Sequence, residues 1–197
     1  MRVLSFSTKF PSYHPRKWEP TYFVSKILSG LHDLHYDITP YIGELPICNT
    51  CGDTGIGGFT FDQPAGYECT DCKAKYTTIH KGPLWKAGDW FQPVIWGNNI
   101  NPKSGRSGPY HSKQIKFAPP IEVKKIWFID ITTDGYISIN GDLCGCFDKS
   151  KYVTEQNFLI ELAQNDGLSL DDFASWFKYP GHSFSGQIIC WNDKIEY

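Results

Sequence analysis

No run of this 197-residue chain approaches the 18 or so consecutive apolar residues of a membrane span, and Met1–Lys9 turns polar within a few positions. That pattern excludes a spanning helix and argues against a cleaved leader, so the chain reads as cytoplasmic with no membrane partner. Methionine is nearly missing, with one residue, and net charge is nearly missing too, at −2. Low complexity is absent, and 7 Trp, 11 Tyr and 13 Phe exclude a solvated, disordered chain. A chain this long can bury a core without covalent staples.

The small net charge hides an uneven distribution. Residues 1–72 carry −3, residues 73–125 carry ten basic groups against Asp89 and Glu122 for +8, and residues 126–197 carry −7. A basic centre between acidic flanks points to an anionic ligand on the middle segment. The bland alternative is neutralisation by neighbouring acidic elements in the fold.

Seven cysteines form an odd set, which fits a disulfide framework poorly. Four are patterned: Cys48-Asn49-Thr50-Cys51 and Cys69-Thr70-Asp71-Cys72, with 17 residues between the pairs. Two residues between cysteines let both thiolates face one ion from a tight turn. Two such knuckles supply the closed tetrahedral sulfur set of a structural Zn²⁺, one per chain. The expected module is a zinc ribbon inserted at residues 44–74 of an otherwise single domain spanning 1–197. Cys144, Cys146 and Cys190 lack a partner pair and read as small core or turn residues.

Periodicity gives the rest of the framework. Val3–Phe6 reads as a strand, Phe10–Pro15 as a proline-studded loop, and Tyr22–Leu34 as an amphipathic helix with Phe23, Ile27 and Leu31 on one stripe. Strands are expected at Trp90–Trp96, Gln114–Ala118, Ile121–Ile131 and Tyr136–Ile139, with Trp90 and Trp96 in the core. A long Gly-, Asn- and Ser-rich loop, 97–113, lies between the first two of these strands. Helices are expected at Thr154–Gln164 and after a Ser169 cap, and Phe184–Trp191 reads as a closing strand. The fold class is α+β, a small β-barrel-like sheet core with flanking helices and the metal-held insert.

Three stretches carry a resemblance. Lys75-Tyr76-Thr77-Thr78-Ile79-His80 looks like the Lys-x-x-Thr-x-Arg core motif of the ASCH domain family, in the PUA-like superfamily. Leu84-Trp85-Lys86-Ala87-Gly88-Asp89 is similar to that family's turn into a strand. Residues Ala163–Phe173 and Phe184–Trp191 are similar to its closing helix and strand. The resemblance covers most of the chain outside the cysteine insert. It implies a PUA-like barrel whose cleft takes RNA, a nucleotide or a modified nucleoside.

One branch of that family is an amidohydrolase acting on acetylcytidine with a Lys, a Thr and a carboxylate. Carried over, these become Lys75, Thr78 and Asp166, with Asp standing where that branch has Glu and His80 where the family has Arg. Lys75 would act as base or hold the oxyanion, Thr78 would be nucleophile or orient water, and Asp166 would pass a proton to the leaving amine. Residues three apart on one straight strand face opposite sides, so Lys75 and Thr78 converge only if the chain turns between them.

Binding without chemistry needs cations for phosphates and aromatic faces for bases. His80, Lys81, Lys86, Arg106, Tyr110, His111 and Lys113 are the expected contacts, with Tyr110–Lys113 the best surface stretch. The leading expectation is therefore an RNA- or nucleotide-binding domain with structural zinc. The alternatives are the amidohydrolase and a protein-interaction module.

Overall fold

The computed structural model describes residues 1–42, 74–82, 84–97, 100–106, 109–147, 156–177 and 183–197. Cys48, Cys51, Cys69 and Cys72, and with them the expected zinc ribbon, lie outside the described residues. The protein is α+β and divides into two compact units.

The described part of the first unit comes from residues 1–9, 20–42 and 90–122. Its sheet is built on β3 (Trp90–Trp96), which pairs in parallel with β1 (Arg2–Ser5) and antiparallel with β4 (Gln114–Lys116) and β5 (Ile121–Glu122). Leu4 of β1 is buried, as are Phe91 and Val94 on the two faces of β3, while Phe6 meets Phe117 edge-on at 5.9 Å and 81°. Each such buried side chain contributes about 1.5–3 kcal/mol of transfer free energy. Buried Gln92 is satisfied through Nε2, which donates to the Ala118 carbonyl at 2.7 Å. Helix α1 (Phe23–Asp33) buries Phe23, Val24, Ile27, Leu28 and Leu31, the stripe its spacing anticipates, and the short α2 (Thr39–Ile42) follows.

The described part of the second unit comes from residues 10–19, 74–89 and 123–197. Its antiparallel sheet runs β2 (Thr77–His80), β9 (Phe184–Cys190), β6 (Lys125–Ile131), β7 (Tyr136–Ile139), β8 (Asp142–Cys146). On β6 the odd residues Trp127, Ile129 and Ile131 are buried, and Phe128 and Asp130 face out. Helices α3 (Gln156–Asn165) and α4 (Leu170–Phe177) belong to the same unit. Ser169 caps α4 as its spacing implies, its Oγ accepting the Asp172 N–H at 3.1 Å.

Three expectations are corrected. Ile121–Ile131 is not one strand: Val123 N–H donates to the Asp89 carbonyl and Lys124 N–H to the Cys190 carbonyl, so the chain leaves one sheet and enters the other. Among the described residues the strands form two sheets and no closed barrel. Trp90 is 48% exposed because it stands at the end of β3, outside its buried stretch Phe91–Ile95, and Trp96 at the far end is only half-buried. Cys146 and Cys190 are buried, as small core residues should be, and Cys144 is half-buried.

Candidate functional site

Lys75 enters β2 beside the C-terminus of α3. The Tyr76 N–H donates to the Asn165 carbonyl at 2.9 Å, and the Tyr76 carbonyl accepts the Trp191 N–H at 3.1 Å. Helix α3 ends in a Schellman turn. Gly167 N–H donates to the Gln164 carbonyl and Leu168 N–H to the Ala163 carbonyl, both at 2.9 Å, with Gly167 at φ +76°. A Cβ at Gly167 would stand 3.2 Å from Cβ and Cδ of Lys75, so the glycine supplies both the left-handed backbone and room for the lysine stem.

The Lys75 ammonium therefore arrives at the helix end, donating to Oδ1 of Asp166 at 2.8 Å and to the Asp166 carbonyl. A cation is favoured there by the carboxylate and by the negative end of the helix dipole. The side chains of Lys75 and Asp166 are only 1% and 7% exposed, so a substrate in solvent does not touch the pair as it stands.

Thr78 takes another position. It lies opposite Ile189 on β2, half-buried, and strand alternation gives it the face opposite to Thr77. Thr77 is the buried one of the two. The Tyr197 hydroxyl accepts from Asn165 Nδ2 at 3.0 Å, and burial pushes this phenol up against the opposing pull of Asn165 and Thr77. Nothing in the residue pattern marks Tyr197. Its sequence neighbours, Asp193-Lys194-Ile195-Glu196, are mostly charged, and it lies 31 residues beyond Asp166.

The expected ligand contacts divide between the units. In the second unit, His80 is half-buried opposite Gln187, and Lys81 and Lys86 are exposed. Gln187 clasps the backbone of Trp85 from both sides, accepting its N–H at 2.7 Å and donating to its carbonyl at 3.2 Å. In the first unit, Arg106, Tyr110, His111 and Lys113 share the connection between β3 and β4. Tyr110 is 88% exposed and its ring lies 5.4 Å from that of Trp96. Arg106, Lys113 and the neighbouring Lys103 and Lys116 are all exposed.

A third cluster was not anticipated, because the loop before α1 reads only as proline-studded. His14 is buried, stacks on Phe10 at 4.3 Å, and reaches the Asp172 carbonyl through Nε2 at 3.1 Å. Arg16 bonds Asp172 at 2.7 Å and Glu19 at 2.8 Å. Burial draws the guanidinium down, but those two carboxylates outweigh it and hold its pKa above the ordinary value. The His14 ring, the Arg16 guanidinium and the two carboxylates are engaged within the protein, and the cluster serves to bind the loop to α4.

Among the described residues no group of three His, Cys, Asp or Glu side chains is placed to hold a metal ion. No helix among them is long and apolar enough to cross a membrane. No family model, curated protein or solved structure matches the chain.

Proposed function

We propose that the protein binds RNA or a nucleotide through the β3–β4 hairpin, on a PUA-like scaffold extended by a zinc ribbon. The observation that carries the reading is the hairpin's charge. From Trp90 to Ile121 the sequence has Lys103, Arg106, Lys113 and Lys116 and not one Asp or Glu. All four cations are exposed, beside an exposed tyrosine. Cations without competing acids attract phosphates, and an open aromatic face takes a base.

Labelled RNA binding at low salt tests it. Wild-type protein is expected to bind, and the combined Lys103→Ala, Arg106→Ala, Lys113→Ala variant to lose most of that affinity. Equal affinity in the two proteins removes the hairpin from the reading.

In this proposal Cys48, Cys51, Cys69 and Cys72 hold one Zn²⁺, whose part is to fold the insert, since four thiolates leave no open coordination position. Protein prepared without chelator should contain one zinc per chain, and the Cys48→Ser, Cys69→Ser variant none.

One observation favours the amidohydrolase as a second reading: Lys75 Nζ and Asp166 Oδ1 are 2.8 Å apart. A lysine and a carboxylate in contact can exchange a proton, although both need exposure to substrate first. Release of acetate from acetylcytidine, lost in both Lys75→Ala and Thr78→Ala, would support this reading. Turnover unchanged by both substitutions would identify a contaminant.

A further inference from the structure

Resting on the RNA-binding reading, we propose that the β3–β4 hairpin selects unpaired nucleotides, stacking one base on Tyr110 while Lys103, Arg106 and Lys113 meet the adjoining phosphates. Tyr110 is 88% exposed, an unusual place for a large aromatic ring that gains nothing there from burial. Its backbone has φ +65°, a conformation a bulky L-residue adopts only when its surroundings hold it. The ring packs against Trp96 at 5.4 Å and 50°, which fixes its orientation and leaves most of its surface open.

Other described residues of the hairpin are tied by its own hydrogen bonds. Its neck closes where Gly97 N–H donates to the Lys113 carbonyl at 3.0 Å. At the tip, Asn101 N–H donates to the Arg106 carbonyl and Gly105 N–H to the Asn101 carbonyl, both at 2.8 Å. The Asn101 side-chain oxygen accepts the Lys103 and Ser104 N–H groups at 2.9 and 3.3 Å, and Ser104 Oγ lies 3.4 Å from His111 Nδ1. A platform already ordered loses less entropy on binding than a mobile one. The base is the part that decides between ligands. In a duplex both faces of every internal base are occupied by neighbours, so a protruding tyrosine finds no partner, whereas an unpaired base offers a free π-face.

The experiment is fluorescence anisotropy at low salt, with one RNA sequence presented as a single strand, as a duplex, and as a single strand of abasic residues. The proteins are wild type, Tyr110→Ala and Tyr110→Phe, each checked for an unchanged thermal melt. The single strand is expected to bind wild type about tenfold more tightly than the duplex or the abasic strand. Tyr110→Ala should lose about that factor for the single strand alone, and Tyr110→Phe should keep it. Equal binding of all three ligands, unaffected by Tyr110→Ala, overturns the stacking proposal and leaves RNA binding standing. Binding of none of them overturns the RNA reading itself, and the stacking proposal with it.

Discussion

A lysine with no solvent-exposed surface must find its oxygens inside the protein, and Lys75 finds them at the end of α3. Removing one member of a buried pair strands the other. Asp166→Ala should therefore destabilise the fold by about 3–5 kcal/mol in denaturant unfolding. The double variant Lys75→Met, Asp166→Leu should be more stable than Asp166→Ala, since the stranded ammonium is gone. A single-variant loss under about 1 kcal/mol would contradict the account. Cys190 supplies a second residue-scale expectation. Burial pushes its thiol from an ordinary 9.0 up to about 11, against the opposing pull of the Asn192 backbone and Lys125. Between those values the folded chain holds a proton that the unfolded chain has released, so unfolding free energy falls as pH rises. The contribution is complete below about pH 9 and lost by about pH 11, and is worth up to about 3 kcal/mol. Stability curves should be flatter across that window in Cys190→Ala. Tyr197, raised for the same reason, adds a loss of the same sign above the ordinary phenol value of 10.0, which Tyr197→Phe should remove.

At the scale of elements, the sheet of the second unit depends on close approach between β9 and β2. A Cβ at Gly186 would stand 2.7 Å from the His80 carbonyl oxygen and 2.8 Å from the Phe184 ring. Backbone cannot yield as a flexible side chain can, so Gly186→Ala should cost about 1–3 kcal/mol, read as a lower melting temperature. A variant that melts with wild type would show that the two strands separate there at little cost. Elements with a strong period were legible in the sequence: β3 and β7 have the expected bounds, α1 and β9 differ by a residue at one end or both, and α4 starts directly after the expected Ser169 cap. Strand β8 was not legible, because Asp142–Cys146 is too polar and glycine-bearing to alternate, and is held as a strand by its neighbour β7. The split between β5 and β6 was hidden for the opposite reason. Both halves are β-branched and apolar, and only long-range partners, Asp89 and Cys190, decide where the chain changes sheets. The candidate site shows the same division. The meeting of Lys75 with Asp166 was legible only through resemblance, while the period-two rule set a condition on Thr78, that it converges with Lys75 only if the chain turns between them.

For the molecule as a whole, the decisive quantity is how its charge is spread. A net charge of −2 gives no long-range attraction for a polyanion, so any affinity for RNA must come from a local cluster. The hairpin is such a cluster, with four exposed cations and no acid between Trp90 and Ile121, whereas residues 126–197 carry −7. Each phosphate neutralised on a single strand releases condensed counterions. The slope of log affinity against log salt is then about −0.7 per contact, or about −3 if all four cations engage. Titrating a short single-stranded RNA over a roughly tenfold range of KCl measures that slope, and each alanine replacement among the four should flatten it by about 0.7. Binding held instead by hydrogen bonds to a nucleoside would show a slope near zero and indifference to the four substitutions. That result would transfer the ligand from the hairpin to some other surface. A slope much steeper than −3 would also be informative, since it would require cations beyond the hairpin, and exposed Lys81 and Lys86 in the second unit would be the next to replace.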